Sequence, residues 1–357
     1  MKYLKKITLN NFRCYENKEF FLKKGINIIL GNNATGKTSL MEAIYMIGMC
    51  KSYRTNFDSE IVLENKNYYN IISILDNNGK EEKVVLYYNN GQKKLTKNSL
   101  NYKSLSQHIG YLNVVVFSPE DLKLVNGDPK YRRRFLDVNI SQLSKEYLSL
   151  LTEYNRLLKE KNELLKDINY DGHNLSNNNE TLLKLYTNSL ADKAKGIIKY
   201  RKKFIDSLNV LVDESVKEIT KGKEIDKLEY IPNVCENDIE IEMNNKLKSD
   251  LFAQTTTCGP HRDDFKIYVN NKIASDYASQ GQQKTVSLTI KMALAKLIAR
   301  SKGEIVVILD DVFGELDEER QQDLIKLVKN EQQVFITTTS LKYITNDIIK
   351  ESNLIKI

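Results

Sequence analysis

The segment Gly31-Asn-Asn-Ala-Thr-Gly36-Lys37-Thr38 constrains the fold of this chain more than any other stretch. It matches G-x-x-x-x-G-K-[ST], and it sits between an apolar β-favouring run at 26–30 (INIIL) and an apolar run of helix length at 39–49. Glycines in such a loop let backbone N–H groups turn inward around phosphate oxygens, and the helix N-terminus adds the positive end of its dipole. A strand–loop–helix unit of this kind implies an α/β sheet domain and a nucleoside triphosphate, here read as ATP. Lys37 is the expected cation for the β- and γ-phosphates and Thr38 a ligand for Mg²⁺, with Gly31, Asn32, Asn33, Ala34, Thr35, Gly36 and Ser39 around the phosphates.

The partner of that loop is the segment 304–311, EIVVILDD. An apolar strand ending in acid places its carboxylates at the carboxyl edge of an open sheet, where ligands bind. Asp310 is expected to hold Mg²⁺, and Asp311 to stand where a general base polarises the attacking water. These two motifs define an NTPase without saying which kind. The deciding segment is Ala278-Ser279-Gln280-Gly281-Gln282-Gln283, just before a predicted helix. It resembles the ABC signature L-S-G-G-Q, whose serine hydroxyl and glycine N–H suit a γ-phosphate. In ABC-type ATPases these groups bind the nucleotide of the opposite subunit, so Ser279, Gln280, Gly281 and Gln282 are expected to act in trans. Gly314-Glu-Leu-Asp317 follows the acidic strand, where ABC proteins have their D-loop; Asp317 is its candidate residue.

Along the chain, short β-favouring runs occur at 7–12, 26–30, 71–75, 83–88 and 114–117, and again at 265–269, 305–309 and 334–336. Turn residues at 76–79 and 89–91 separate some of them. In between, the period changes. Leu143, Tyr147, Leu150, Tyr154, Leu157, Leu164 and Ile168 recur at spacings of three and four, interrupted by Lys161. A polar stretch at 169–180 reads as a turn, and a second series follows in Leu183, Leu190, Ala194, Ile197, Phe204, Leu208 and Leu211. Two readings stand: an antiparallel hairpin arm, extending roughly 40 Å for about 25 residues per helix, or a compact helical subdomain whose stripe is core. The expected fold is α/β, an ABC/SMC-type P-loop ATPase head with an inserted α-helical arm subdomain. Its N-terminal part spans 1–117, the insertion 118–250 and its C-terminal part 251–357.

The net charge of +7 suits a polyanionic partner without requiring one. The densest basic runs are Arg132-Arg133-Arg134 and 199–203 (KYRKK). Arg132, Arg133, Arg134, Arg201, Lys202 and Lys203 are therefore the candidate DNA-phosphate contacts, against the alternative of solvated helix faces. Cys14, Cys50, Cys235 and Cys258 include no C-x-x-C pair, and His108, His173 and His261 are scattered, so the chain reads as a cytosolic protein with reduced thiols. No apolar run approaches the roughly 20 residues of a bilayer-spanning helix, and the N-terminus lacks the apolar centre of a secretory signal.

Taken together, these segments resemble the RecF family, DNA replication and repair proteins of the SMC-like ABC ATPases. The resemblance covers nearly the whole chain. It is carried by ITLNNFRCYEN at the N-terminus, Lys51-Ser-Tyr-Arg-Thr55, Val116-Phe-Ser-Pro-Glu-Asp-Leu122, Gly127-Asp-Pro-Lys-Tyr-Arg-Arg-Arg-Phe-Leu-Asp137 and Cys258-Gly-Pro-His-Arg-Asp-Asp264. The most specific pieces are YASQGQQKT, VVILDDVFGELD and QVFITTT. The resemblance implies an ATP-dependent homodimer with slow, DNA-stimulated ATP hydrolysis. It would bind DNA at single-strand gaps and gapped duplex, engage RecR and RecO mediators, help place RecA on single strands and associate with the nucleoid. It also implies that Arg13 approaches a phosphate, as in SMC-like heads. Three departures from the wider ABC pattern stand out. The acid pair is Asp310-Asp311 rather than Asp-Glu, Thr337-Thr338-Thr339 occupies the place of the switch histidine, and Glu120 is the nearest polar residue where a Q-loop glutamine would stand. A transporter ATPase would need that glutamine and usually the histidine. A chromosome-type SMC protein would need far more coiled coil, and a small-molecule P-loop kinase has no use for the signature.

Overall fold

The structure is a computed structural model that describes residues 2–168, 175–222, 224–312, 321 and 333–357. The chain divides into two compact units: Met1–Asp121 with Leu288–Ile357, and Leu122–Ser287.

The first unit carries two sheets. One is antiparallel, with strands in the order Tyr15–Phe21, Lys2–Phe12, Tyr68–Asn77, Lys80–Asn89, Gln92–Lys97 and Leu100–Asn101. Two of its hairpins close where the sequence offers Asn-Gly: Asn78-Gly79 and Asn90-Gly91 all have positive φ, the geometry of a tight turn that matches strand twist. The other sheet is parallel, in the order Asn353–Lys356, Gly25–Leu30, Gln333–Thr338, Val306–Leu309 and Val114–Phe117. Its three inner strands and Val114–Phe117 are buried almost throughout, which is why they read as unbroken apolar runs rather than alternating ones. The Gln333 amide ties the two sheets together: Nε2 donates to Leu4 O (2.7 Å) and Lys23 O (2.9 Å), and Oε1 accepts from Leu4 N–H (2.8 Å).

In the second unit, helices Lys145–Asp167 and Asn177–Thr220 form the expected hairpin. The second of them starts earlier than the polar composition suggested, because Ser176 caps it by accepting from Asn179 N–H (3.3 Å). Its stripe is core: Leu165, Ile168, Leu183 and Leu251 form one buried cluster, with Leu247 packed against it. The short helices Ile239–Asn245 and Leu247–Ala253 thus cover part of the hairpin. Lys161, the break in the heptad series, is fully buried and pairs with equally buried Asp250 at 2.8 Å. The boundaries also differ from expectation. Strand Asp264–Val269 pairs with Asp226–Ile231 of the insertion and with Lys272–Ile273, so this part of 251–287 folds with the helices rather than with the parallel sheet.

The basic runs are corrected here. Arg201 is 1 % exposed and cannot contact DNA. Its guanidinium donates to Asp263 Oδ2 (2.8 Å), Asp137 Oδ1 (2.8 Å), Pro260 O (2.6 Å) and Tyr147 Oη (3.2 Å). Helical periodicity turns position 201 inward while Lys199, Lys202 and Lys203 stay exposed. Arg132 is clamped on Asp264 through Nε (2.6 Å) and Nη2 (2.9 Å), and Arg133 donates to Asp263 O (2.9 Å). Both side chains are engaged within the unit, and Arg134 is partly buried. Of the six candidates, Lys202 and Lys203 keep exposed positions.

Arg201→Ala leaves Asp263, itself fully buried, without its cation. Breaking a buried pair in this way costs about 3–5 kcal/mol. Urea unfolding of the full chain should show a large drop in midpoint for this variant, and almost none for Lys202→Ala with Lys203→Ala.

Candidate nucleotide site

Strand Gly25–Leu30 runs into the phosphate loop, and helix Lys37–Met49 leaves it. Gly36 is the N-cap residue at φ +102°. A Cβ there would lie 2.6 Å from Tyr15 Oη and 2.7 Å from Cys14 Sγ, so both the conformation and the space require glycine. Tyr15 Oη donates to Gly36 O (3.1 Å) and Thr35 Oγ1 to Asn32 O (3.0 Å), while Ala34 takes a left-handed φ of 64°. The Lys37 ammonium donates to Gly31 O (2.8 Å) and Asn32 O (2.7 Å), which holds its charge against the loop.

The parallel register brings the other motifs to the same sheet edge. Val306–Leu309 pairs with Gln333–Thr338, which pairs with Gly25–Leu30, so Asp310, Thr337 and the phosphate loop share one carboxyl end. Asp310 is 3 % exposed and accepts three hydroxyls: Thr38 Oγ1 (3.1 Å) and Thr337 Oγ1 (3.2 Å) on Oδ1, and Tyr53 Oη (2.7 Å) on Oδ2. Burial pushes its carboxyl up from the ordinary range, the hydroxyl donors oppose this, and neighbouring Asp311 adds to the rise. Asp311 is exposed and left-handed at φ 57°, and its N–H donates to Thr337 Oγ1 at 2.8 Å. Thr337, at the switch position, thus joins both acids through one hydroxyl. Thr38 and Asp310 side by side offer the hard oxygen donors that Mg²⁺ prefers, so the residues fit the ion.

The Arg13 guanidinium is held by Glu42 and Glu60 beside the phosphate-loop helix. Nε donates to Glu42 Oε2 (2.8 Å), Nη2 to Glu42 Oε1 (2.7 Å) and Nη1 to Glu60 O (2.7 Å). Glu42, on the phosphate-loop helix, is fully buried and also accepts from Ser52 Oγ (2.5 Å). Sequence reading singled out neither Glu42 nor Tyr53 for a role. Tyr53 lay within the family-like Lys51-Ser-Tyr-Arg-Thr55, the one signal that pointed there. Glu120 is exposed on the turn Pro119–Leu122.

In the second unit, Ser279 and Gln282 form a reciprocal cap at the start of helix Gln280–Lys302. Gln282 N–H donates to Ser279 Oγ (3.3 Å) and Ser279 N–H to Gln282 Oε1 (3.0 Å). Gln280 and Gly281 are exposed, and a Cβ at Gly281 would meet nothing closer than Ser279 Oγ at 3.9 Å. Asp317 lies outside the described residues.

A phosphate loop, a buried acid beside its threonine and a capped signature segment define a P-loop ATPase of the SMC-like ABC class. The chain matches the family described as RecF/RecN/SMC N-terminal domain over residues 3–352. It is 40 % identical over 364 residues to the DNA replication and repair protein RecF of Clostridium perfringens, covering 99 % of this chain and 98 % of that one. The Bacillus mycoides RecF is 37 % identical over 369 residues, covering 99 % and 96 %. A solved structure of the recombination mediator protein RecF with ATPrS superposes with a TM-score of 0.88 at 33 % identity, covering 100 % of this chain and 96 % of that one. An Smc head domain from Pyrococcus furiosus shares the fold, with a TM-score of 0.54 at 15 % identity over 98 % of this chain and 91 % of that one. The chain belongs to the RecF family.

The Gly36 geometry gives a direct test. Gly36→Ala forces a side chain into a left-handed, crowded position, a strain of about 1–3 kcal/mol, so ATP affinity should fall on the order of tenfold or more. Equilibrium binding of a fluorescent ATP analogue measures it, and unchanged affinity contradicts the described loop.

Proposed function

We propose that this chain is an ATP-dependent DNA-binding protein of DNA replication and recombinational repair. It acts as a dimer that closes on DNA when ATP binds and opens after hydrolysis. The observation that carries this reading is the full-length likeness to RecF solved with nucleotide, together with Asp310 lying 3.1 Å from Thr38 beside the phosphate loop. Its DNA is a single-strand gap or gapped duplex, its protein partners are RecO- and RecR-type mediators, and the outcome is RecA placed on single-stranded DNA. Of the six candidate contacts, Lys202 and Lys203 are the ones that meet phosphates; their exposure supports this.

Lys37 and the loop amides hold the β- and γ-phosphates. Thr38 and Asp310 hold Mg²⁺, which screens the phosphate charge. Asp311 orients and deprotonates the attacking water; its exposure and its place one residue beyond Asp310 support that role. A short aspartate base fits slow turnover, so binding acts as the switch and hydrolysis as its reset. Ser279, Gln280, Gly281 and Gln282 complete the site of the second copy, and Asp317 is the D-loop residue. The unfilled space at Gly281 supports a contact from outside the chain.

The two acids should separate cleanly. Asp311→Asn should keep ATP binding while hydrolysis falls on the order of a hundredfold. Asp310→Asn should raise the Mg²⁺ concentration needed for ATP-dependent dimerisation. Wild-type hydrolysis rates in both variants would contradict the assignment.

Mixing two inactive variants tests the shared site. Lys37→Ala loses its own nucleotide, and Ser279→Arg blocks the site of its partner, so each homodimer has two defective sites. In an equal mixture about half of the dimers carry one variant of each kind, with one intact site. ATPase activity should return to at most roughly a quarter of wild type if the sites act independently. Normal hydrolysis by Ser279→Arg as a monomer would refute a shared site.

A further inference from the structure

We infer that Tyr53 is a positioning residue for the metal-binding carboxylate, a role that rests on the reading of Asp310 as the Mg²⁺ ligand. The torsion that turns an aspartate carboxylate about its Cβ–Cγ bond is soft and broad, so the carboxylate needs an outside contact to fix which oxygen it presents. In Asp310 both contacts on Oδ1 come from Thr38 and Thr337, which themselves belong to the nucleotide site. The contact on Oδ2 comes from a separate loop, and at 2.7 Å it is the shortest of the three. With Oδ2 anchored on the Tyr53 hydroxyl, Oδ1 is the oxygen left facing Thr38.

The anchor is itself fixed to the helix that carries Thr38. The Tyr53 ring packs edge-on against Tyr45 of that helix, with centroids 5.3 Å apart and planes at 79°. One residue earlier, Ser52 Oγ donates to Glu42 Oε1 (2.5 Å) and accepts Arg54 N–H (2.9 Å) and Thr55 N–H (3.1 Å), so the loop folds around that hydroxyl. Glu42 is on the same helix and is clamped from the other side by Arg13. One rigid reference thus sets both halves of the metal site: Thr38 directly, and Asp310 through the loop and Tyr53.

The test uses Tyr53→Phe, which keeps the ring and its packing and removes only the hydroxyl. Mn²⁺ is titrated into the full chain with a slowly hydrolysed ATP analogue, and free Mn²⁺ is read from its EPR amplitude. Nucleotide affinity is measured separately in EDTA. Losing one hydrogen bond to a charged group predicts about tenfold weaker Mn²⁺ binding, with nucleotide affinity in EDTA equal to wild type. In an Asp310→Asn background the same change should add nothing, since the hydroxyl acts through that carboxylate. Wild-type Mn²⁺ affinity in Tyr53→Phe overturns the inference. So does an undiminished effect in the Asp310→Asn background, or an equal loss of nucleotide binding in EDTA. An Asp310→Asn chain that holds Mn²⁺ like wild type would overturn the reading of Asp310, and this inference with it. Wild-type nucleotide binding by Lys37→Ala would count instead against the phosphate loop.

Discussion

A carboxylate taken out of water has to be given partners, and at the phosphate loop Asp310 is such a carboxylate. Meeting its need organises the first unit. Thr38 comes from the helix after the phosphate loop, Thr337 from the neighbouring parallel strand and Tyr53 from a loop beyond that helix. Each of these elements has its own reason to be where it is, in apolar strands buried on both faces and a helix packed on the sheet. The three hydroxyls then convert a packing arrangement into a polar centre with one orientation. Replacing any of them by an apolar group leaves a buried oxygen short of a donor, which is costly where the dielectric is low.

How much of this was readable from the chain varied with the length scale of the cause. The phosphate loop was legible because its chemistry is backbone chemistry, and glycine spacing writes backbone geometry directly into sequence. The acidic strand was legible because a run buried on both faces has no polar positions to confuse it with anything else. Tyr53 and Glu42 were not, because their roles come from contacts between residues far apart in sequence or on different elements, such as the 257-residue separation between Tyr53 and Asp310. Arg201 was misread for a related reason: a run of basic residues looks uniform as text, while a helix sends every third or fourth one inward. The domain boundary shifted because strand pairing between 226–231 and 264–269 is long-range and leaves no local mark.

The second unit follows a different economy of polar groups from the first. Its segments Gly127–Asp137 and Cys258–Asp264, two of those that carry the family resemblance, are tied to each other: Arg132 to Asp264, Arg133 to Asp263 O, and Asp137 to Asp263 through Arg201. Tyr230 adds a further short contact to Asp263 and Tyr154 one to His261 Nδ1 (2.7 Å). Burial holds His261 well below the usual imidazole range, at about 4, so the ring stays neutral near pH 7. These motifs therefore specify how the helical hairpin and its small sheet close on one another.

The open space beside Gly281 has a consequence for variation in this protein. Most positions in a folded domain are policed by the fold itself, since a poor residue there raises the unfolded fraction and exposes the chain to proteolysis. Gly281 escapes that control: a side chain there meets no close neighbour, and within a helix start alanine is no worse than glycine for the backbone. A substituted chain would fold and persist, and if the protein acts as the proposed dimer it would pair with normal chains. In the proposed arrangement it would keep its own phosphate loop and spoil only the site it was meant to complete. Its genetic behaviour would then be dominant rather than recessive, with severity set by the ratio of the two chains in the cell.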